Sequence, residues 1–434
     1  MIISGAIGII ADDLTGANDT ALQFFLKGCD MQIILDENAD FENFSSSQGL
    51  AISTESRNIP SDEAIERIKK VGEIFTQKLN VEHFYKKIDS TLRGNIGVEI
   101  FQLLEELNKD CAVIAPAFPA EGRITIGGYH LLKGVPIERT EMARDPLSPI
   151  YESYIPTILK QGLGQEFKDL IGQVDFKTVV KGAGPIVMEF NRFIEAGKKL
   201  IVVDAVSTED MGQIALACQK CAYDVLPCGS AGLANALGNI WLDPASTQLQ
   251  IKNKLPKLPK LILSGSATKL SASQIKKLEQ EDDYSSYFVP LKAQTVLDGL
   301  KDEFVQRILS NLKEGSIVCV HSSGILSDSD EDINTLIDAK LTHDAFSGMI
   351  TDFLSELAQK IVSQKDVILI TIGGETSYKC ANATGSKNLR VIDAVAPAIP
   401  LCVNTNDNII VTKSGNLGVS TTLIDIMKYF EGHE

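Results

Sequence analysis

Short apolar runs alternate with longer amphipathic segments along the first half of the chain. Polar turns separate them, and residues 61–79 and 94–107 carry apolar side chains at helical spacing. Such alternation predicts a mostly parallel sheet covered by helices. The strands predicted in this half span residues 7–11, 31–35, 50–54, 84–88, 111–115 and 200–204.

A second alternating series follows a break in the pattern. Residues 242–260 lose their periodicity and contain three prolines, which is typical of a linker. We therefore expect an α/β protein with a domain at residues 1–245, a linker at 246–258 and a second domain at 259–434. Each domain should contain a mostly parallel, helix-covered sheet. The strands predicted in the second domain span residues 260–263, 316–321, 366–371, 388–392 and 409–412.

Composition and charge restrict the classes of partner. Hydrophobic residues make up 44% of the 434 residues and charged residues 23%, which is typical of soluble globular proteins. The formal net charge of −16 disfavours nucleic acids and anionic membranes, because both attract cationic surfaces. No apolar run reaches the roughly 20 residues that span a bilayer, and residues 1–10 lack a basic leader. Eight scattered cysteines do not form the dense pattern of a disulfide scaffold. These features predict a soluble cytoplasmic protein with reduced thiols.

Residues 10–19 have the pattern of a strand that ends in two acids and turns into a helix. In open α/β sheets, ligands bind beyond the carboxyl ends of the strands, where Asp12 and Asp13 would project. The alternative is that an acid of this segment caps the helix, and it applies most to Asn18 or Asp19. Two adjacent acids exceed what one cap requires, so the pattern predicts a binding site.

Residues 85–95 form a second strand, polar turn and helix start. This segment concentrates Lys87 and Arg93 around Asp89 and Ser90, within an otherwise acidic chain. A helix N-terminus favours anions, and arginine and lysine add the contacts that a carboxylate needs. The alternative is a surface capping turn with solvated lysines. The charge pattern favours an anion-binding site.

Two further arginines follow predicted strands. Arg57 comes shortly after residues 50–54 and can join the rim formed around Lys87. Arg123 ends the segment 116–123, whose prolines and glycine favour a loop of defined shape. Each segment is a weak signal by itself, and together they extend the predicted site.

Three glycine-containing turns follow strands in the second domain. Small hydroxyl residues around glycine let backbone N–H groups approach a phosphate closely. One such turn is nonspecific, but three in one domain indicate a nucleotide site, although none matches the Walker A pattern. The residues expected there are Ser264, Gly265, Ser266, Gly373, Gly374, Glu375, Thr376, Gly415, Asn416 and Gly418.

This combination favours phosphoryl transfer. The reaction needs positioned phosphates, a metal ion that offsets their charge and a group that accepts the proton of the attacking hydroxyl. Other chemistries lack their signatures, because the chain has neither a Gly-x-Ser-x-Gly elbow nor a His-Glu-x-x-His zinc motif, and its five histidines are dispersed.

Six motifs, in matching order and spacing, resemble the family of four-carbon acid sugar kinases. They cover nearly the whole chain and read IADDLTGAND at 10–19, KIDSTLRGN at 87–95, PAFPAEGR at 116–123, SGSAT at 264–268, GGETS at 373–377 and KSGNLG at 413–418. The resemblance implies that residues 1–245 bind a sugar acid and residues 259–434 bind ATP, with catalysis in a cleft between the two domains. Members of the family phosphorylate D-threonate, D-erythronate or 3-oxo-tetronate, so the resemblance implies transfer to a hydroxyl of such an acid.

The resemblance also implies roles for individual residues. The substrate-binding residues expected are Asp13, Arg57, Lys87, Ser90, Arg93 and Arg123. We hypothesise that Asp12 or Asp89 accepts the proton of the attacking hydroxyl. Lys87 and Arg93 would hold the carboxylate, and Mg²⁺ would bridge the phosphates of ATP. The metal ligands are not assigned, and the specific acid, its reacting hydroxyl and any homo-oligomer stay open.

Two other functions are compatible with this fold class. A dinucleotide-dependent oxidoreductase also alternates strands and helices, but no Gly-x-Gly-x-x-Gly follows the first strand, and Asp12 with Asp13 would repel a pyrophosphate there. A sugar-acid sensor would close on its ligand without chemistry. Release of ADP that depends on a sugar acid separates the kinase from both.

Overall fold

The computed structural model describes residues 6–35, 49–79, 81–144, 148–161, 163, 165–242, 254–323 and 341–433. The chain divides into two compact units, Met1–Gln248 and Leu249–Glu434, here called unit 1 and unit 2. Most of the linker predicted at 246–258 lies outside the described residues, and residues 254–258 form neither helix nor strand. The boundaries of that linker therefore stay a prediction.

Unit 1 is built on a parallel sheet. Its strands are β1 (Ala6–Ala11), β2 (Met31–Ile34), β3 (Gly49–Ser53), β4 (Val81–Lys87), β5 (Cys111–Ala115), β6 (Arg123–Ile126), β7 (Tyr129–Leu132), β8 (Val135–Pro136), β9 (Ile171–Val174), β10 (Leu200–Val203) and β11 (Val225–Gly229). Its helices are α1 (Leu14–Phe25), α2 (Ser61–Glu73), α3 (Ile96–Glu106), α4 (Ile155–Lys160), α5 (Phe176–Val179), α6 (Ala183–Glu195), α7 (Thr208–Lys220) and α8 (Ala231–Trp241). The parallel strands lie in the order β2-β3-β1-β4-β11-β5-β10-β9, and β6, β7 and β8 form a separate antiparallel sheet.

Unit 2 has a mixed sheet. Its strands are β12 (Lys260–Ser264), β13 (Ser286–Pro290), β14 (Ile317–His321), β15 (Ile368–Ile372), β16 (Asn388–Ala396), β17 (Ile399–Asn404) and β18 (Ile409–Lys413). Its helices are α9 (Lys269–Glu279), α10 (Ala293–Leu297), α11 (Asp302–Asn311), α12 (His343–Val362), α13 (Gly374–Ala383) and α14 (Thr422–His433). The order is β13-β14-β12-β15-β18-β17-β16, and β17 is antiparallel to both of its neighbours.

The predicted α/β class with mostly parallel, helix-covered sheets is confirmed. The burial of β1, β5 and β10 on both faces explains why these strands read as continuous apolar runs. Strand β11 was not predicted, because Pro227 and Gly229 argue against a central strand. The structure nevertheless places β11 between β4 and β5, with Pro227 paired to Val113.

Two bulk features bear on the expectations from composition. All eight cysteines are unpaired, and seven of them are buried, with Cys221 partly exposed. In the part of the chain that the structure describes, no helix is both long enough and apolar enough to cross a membrane.

A buried ion pair links helix α3 to strand β4 and to the segment that follows β3. Lys86 Nζ lies 2.7 Å from Glu99 Oε2, and the side chains are 0% and 2% exposed. The other carboxylate oxygen of Glu99 accepts a hydrogen bond of 2.6 Å from Ser56 Oγ, and Lys86 Nζ donates to Lys87 O. Burial of a charge is tolerated only when the charge is paired and hydrogen-bonded, as it is here. The pair thereby fixes the chain segment that leads from β3 to Arg57.

Replacing Glu99 with Gln should destabilise unit 1, because Lys86 then stays buried without a carboxylate. We expect the free energy of unfolding to fall by about 3–5 kcal/mol. Urea titration followed by the fluorescence of Trp241 measures this, since Trp241 is the only tryptophan and lies in α8 of unit 1.

The matched control is Glu66→Gln, which removes an exposed carboxylate from the surface pair with Lys69. We expect no resolvable change for the control. Equal urea midpoints for the Glu99 and Glu66 variants would contradict the proposed importance of the buried pair.

Candidate functional site

Arg57 is the centre of an ionic cluster at the carboxyl ends of β1 and β3. Its Nε lies 2.8 Å from Asp12 Oδ2, and its Nη1 lies 2.6 Å from Asp13 Oδ2. Its Nη2 lies 3.0 Å from Asp12 Oδ1 and 3.8 Å from Asp89 Oδ1. The whole guanidinium edge is therefore engaged with acids that the sequence had assigned to the same site.

Asp13 also starts helix α1. Its Oδ1 accepts a hydrogen bond of 2.8 Å from the backbone N–H of Gly16, and its Oδ2 accepts one of 2.6 Å from Thr15 Oγ1. The capping role that the sequence left open for Asn18 or Asp19 therefore belongs to Asp13. One carboxylate binds Arg57 and caps the helix, so the direction of α1 is tied to the ionic cluster.

Asp89 and Arg93 form the second part of the cluster. Arg93 Nε lies 2.7 Å from Asp89 Oδ2, and Arg93 Nη2 lies 3.2 Å from Asp89 Oδ1. Burial by itself would raise the pKa of Asp89, but Arg93 and Arg57 more than offset it and hold that pKa well below its ordinary value. Burial would likewise raise the pKa of Asp12, but the charge and hydrogen bonds of Arg57 outweigh burial and lower that pKa. Both carboxylates are ionised and already bound to cations.

A tight turn brings the two predicted motifs together. Leu92 and Gly94 have positive φ angles of 64° and 93°. A β-carbon at Gly94 would lie 3.2 Å from Arg57 Cγ and 3.4 Å from Asp12 Oδ2. Glycine therefore lets the turn after Asp89 approach the acids after β1 without a steric clash.

Lys87 and Arg123 are the cations of this region with unused donors. Lys87 is 4% exposed, and within the described residues its Nζ forms no hydrogen bond or ion pair. Its charge lowers the pKa of Asp12, Asp19 and Asp89, which places it among them. Arg123 Nη1 donates to Glu121 O over 3.3 Å and lies 3.8 Å from Glu121 Oε2, whereas Arg123 Nε is buried and has no hydrogen-bond partner among the described residues. These two cations can accept an anionic ligand.

Ser90 is held in the site region by a hydrogen bond to its backbone carbonyl. His130 Nε2 lies 2.9 Å from Ser90 O, and His130 Nδ1 lies 3.0 Å from Thr125 Oγ1. His130 is fully buried, and burial lowers its pKa to about 4. It is a packed residue, and it holds the turn that carries Ser90.

Two acids of this region were not assigned from the sequence. Burial raises the pKa of Asp19 to about 6, against the lowering effects of Lys87 and Gln23. Burial, helped by the charge of Asp13, raises the pKa of Glu55 to about 8, and Glu55 has a positive φ of 47°. The signal for Asp19 was its position one helical turn after Gly16, which puts both residues on one face of α1.

In unit 2, the three glycine turns pack against one another. A β-carbon at Gly265 would lie 2.3 Å from Thr376 Oγ1, and one at Gly415 would lie 2.3 Å from Ser266 Oγ. A β-carbon at Gly373 would lie 3.7 Å from Ser266 N. The turns after β12, β15 and β18 therefore pack together at distances that exclude larger side chains.

Hydroxyl groups fix the turn around Gly415. Thr268 Oγ1 and Ser271 Oγ donate to Gly415 O over 3.0 Å and 2.9 Å. Thr268 also caps helix α9 by accepting from the N–H of Ser271. Ser264 Oγ is buried and has no hydrogen-bond partner within the described residues, so it can bind a ligand atom.

The remaining predicted residues take different positions. Gly374 is the first residue of α13, and Glu375 Oε1 lies 3.0 Å from Lys379 Nζ. Gly418 has a φ of 85°, and Asn416 is half-buried. A backbone N–H row at the start of α13, preceded by a glycine at φ 115°, is the local geometry that favours a phosphate.

Lys413 is the first residue of the KSGNLG motif, and the sequence pattern did not assign it to the site. It is fully buried at the end of β18, and its Nζ donates to Ser414 O over 2.9 Å. Burial lowers its pKa to about 7. A pattern that ends a buried strand in lysine gives no sign of such burial, because lysines at strand ends are usually solvated.

The two regions differ in chemical capacity. Unit 1 offers cationic donors beside ionised carboxylates, which suits an anion that also carries hydroxyl groups. Unit 2 offers backbone N–H groups and hydroxyls, which suit phosphates. Among the described residues, no group of three or more His, Cys, Asp or Glu side chains is arranged to hold a metal ion.

Comparison with known proteins agrees with this division. The family described as a sugar-binding N-terminal domain matches residues 7–237, and the family described as a nucleotide-binding C-terminal domain matches residues 261–423. D-threonate kinase of Salmonella typhimurium is 31% identical over 436 residues, which cover 98% of each chain. D-erythronate kinase of Heliobacterium modesticaldum is 30% identical over 400 residues, or 90% of this chain and 88% of the relative. A 3-oxo-tetronate kinase of Haemophilus influenzae is 26% identical, over 98% of this chain and 99% of the relative.

Solved structures share the fold. The crystal structure of Haemophilus influenzae protein HI1011 has a TM-score of 0.72 and 25% identity, covering 98% of this chain and all of that one. A Salmonella typhimurium structure has a TM-score of 0.78 and 23% identity, covering 97% of this chain and 98% of that one. With two matched domains and full-length similarity to these kinases, the chain belongs to the family of four-carbon acid sugar kinases.

Proposed function

We propose that this kinase transfers the γ-phosphate of ATP to a hydroxyl group of D-threonate, D-erythronate or 3-oxo-tetronate, with unit 1 binding the acid and unit 2 binding ATP. The observation that carries the proposal is the pair of cations with unused donors, Lys87 and Arg123, beside carboxylates that are already ionised. A four-carbon sugar acid offers the complementary groups, one carboxylate and several hydroxyls.

The acid would be bound by opposite charges in fixed places. Lys87 and Arg123 would hold its carboxylate through charge-assisted hydrogen bonds. Asp12, Asp13 and Asp89 retain lone pairs that can accept from substrate hydroxyls, because each carboxylate oxygen has more than one acceptor direction. Arg57 would act by holding Asp12 and Asp13 in place, since its own donors point to them.

ATP would be bound by the packed turns of unit 2. The hydroxyls of Ser264 and Ser266 and the N–H groups that begin α13 suit its phosphates. Mg²⁺ would arrive with the nucleotide, because this ion is usually held by phosphates, water and one or two carboxylates rather than by a protein cage. It supplies neutralisation of the phosphate charge. The expected cleft between the domains and the cytoplasmic location stay predictions.

A screen of four-carbon acids tests the function. We expect ADP release that requires both ATP and one or more tetronates, because the acid supplies the accepting hydroxyl. A coupled assay of ADP formation with D-threonate, D-erythronate and 3-oxo-tetronate measures it, with glycerol as the control that lacks a carboxylate. Stabilisation by an acid without turnover would support the sensor instead.

Lys87→Met and Arg123→Met should weaken binding of the acid. Each loses a charge-assisted hydrogen bond of roughly 1.5–3 kcal/mol, so we expect the KM for the acid to rise by about 10- to 100-fold and the KM for ATP to change little. Steady-state kinetics measures both constants. Lys177→Met, at an exposed position of α5, is the charge-matched control. An unchanged KM for the acid in both site variants would refute the assignment.

Gly415→Ala should weaken nucleotide binding. The added methyl group would lie 2.3 Å from Ser266 Oγ, so the packed turns must separate. Overpacking costs roughly 1–3 kcal/mol, and we expect the Kd for ADP to rise by at least about fivefold while the Kd for the acid is retained. Titration calorimetry measures both.

The control for this variant is Gly348→Ala in helix α12. A β-carbon there meets nothing within 4 Å, so ADP binding should be unchanged. If both glycine variants bind ADP like the unmodified chain, the turns of unit 2 are not the nucleotide site.

A further inference from the structure

The acids around Lys87 differ in how they are paired. Arg57 binds Asp12 and Asp13 through contacts of 2.6 to 3.0 Å, and Arg93 binds Asp89 at 2.7 Å. A proton added to any of these three carboxylates would break an ion pair, so they are poor proton acceptors. The hypothesis that Asp12 or Asp89 is the base stays untested, but this pairing argues against it.

Asp19 is the acid of this group that no arginine engages. Within the described residues it makes no ion pair, and its carboxylate receives one long hydrogen bond of 3.4 Å, from Gln23 Nε2. Gln23 is itself held by Asn235, whose Nδ2 donates to Gln23 Oε1 over 2.8 Å. The amide that faces Asp19 is therefore fixed in orientation, as a partner that orients a base should be.

Asp19 also lies beside the proposed carboxylate-binding cations. A β-carbon at Gly16 would lie 3.0 Å from Lys87 Nζ, and Asp19 follows Gly16 by one helical turn on the same face of α1. The charges of Lys87 and Arg123 both act on the Asp19 carboxylate. A hydroxyl near a carboxylate held by these cations would come within reach of Asp19.

We propose that Asp19 is a further catalytic residue, the one that accepts the proton of the attacking hydroxyl. The inference rests on the proposed kinase function. The hydroxyl oxygen forms a bond to the γ-phosphorus, and its proton moves to a carboxylate oxygen of Asp19. The bond between the γ-phosphorus and the oxygen that bridges to the β-phosphate breaks, its electron pair stays on that oxygen, and ADP leaves.

The surroundings of Asp19 suit this task. Its charged and titratable neighbours are Lys87 and Tyr85 on β4 and Glu121 and Arg123 on the loop before and at the start of β6. Burial raises the pKa of Asp19 to about 6 despite Lys87, so the carboxylate is ionised at neutral pH and still basic enough to take a proton. A base of this kind must be deprotonated, so activity should fall as the pH drops through that value.

The test is Asp19→Asn, assayed with the tetronate that the unmodified chain turns over. We expect kcat to fall by about 10²- to 10⁴-fold, while the KM values for acid and ATP change by less than about threefold. The kcat/KM of the unmodified chain should decline below about pH 6, and the residual rate of the variant should not show this decline. Glu82→Gln, which alters an exposed carboxylate on β4, is the control and should keep both rate and profile.

Thermal unfolding separates catalysis from folding. A raised pKa means that the folded chain is stabilised when Asp19 is protonated, and that this stability is lost as the pH rises through about 6. Asparagine mimics the neutral form, so the Tm of the variant at pH 8 should equal or exceed that of the unmodified chain. Loss of rate with an intact Tm supports the proposal.

Three outcomes overturn it. A kcat within about threefold of the unmodified value shows that Asp19 is not the base. A raised KM for the acid with unchanged kcat makes Asp19 a binding residue. A kcat/KM of the unmodified chain that stays constant from pH 8 to pH 5 shows that no base titrates in this range, regardless of the rate of the Asp19→Asn variant. If the unmodified chain releases no ADP with any tetronate, the proposed function itself fails. The other three outcomes all require an active unmodified chain, so the two kinds of failure can be told apart.

Discussion

One guanidinium holds together the acids at the end of the first strand. Arg57 contacts both carboxylates that follow β1 and lies within 3.8 Å of the one that follows β4. Without it, three buried negative charges would repel one another in a chain whose net charge is already −16. The lowered pKa of Asp12 depends on this side chain, the lowered pKa of Asp89 depends on Arg93 and on this side chain, and Gly94 packs closely against it. The position of Arg57 depends in turn on the neighbouring Ser56, which donates a hydrogen bond to Glu99. Glu99 is itself held by its ion pair with Lys86.

The sequence was most informative where the polar residues directly follow strands. The carboxyl ends of parallel strands share one edge of the sheet, so Asp12, Lys87 and Asp89 could be placed near each other from pattern alone. The same rule placed the three glycine turns of unit 2, which the structure brings into contact. These are consequences of strand direction and need no knowledge of side-chain partners.

The pairing of those side chains could not be read from the pattern. Arg57 lies 45 positions from Asp12, and Ser56 lies 43 positions from Glu99, so only the folded chain decides which cation is engaged and which stays available. The sequence assigned Arg57 and Lys87 to one substrate-binding rim, whereas in the structure Arg57 is engaged by two carboxylates and Lys87 Nζ has unused donors. Asp19 was weighed as a helix cap, because the charges that act on its carboxylate lie on other elements, which the pattern alone does not bring together. Strand β11 was missed for a similar reason, since the cost of a proline in a central strand is offset by the buried contacts around it.

The cysteines give this chain a practical property. Seven are buried, and Cys221 is partly exposed. Cys221 directly follows α7 and precedes the start of β11, so it lies at the amino ends of the parallel strands, whereas the ionic cluster lies at their carboxyl ends. A thiol-reactive dye should therefore attach at Cys221 in preference to the other seven thiols, at a pH high enough to offset the pKa that burial raises there, and leave the carboxyl ends of the strands undisturbed. The natural sequence thus supplies a labelling handle for spectroscopic studies without the removal of other thiols.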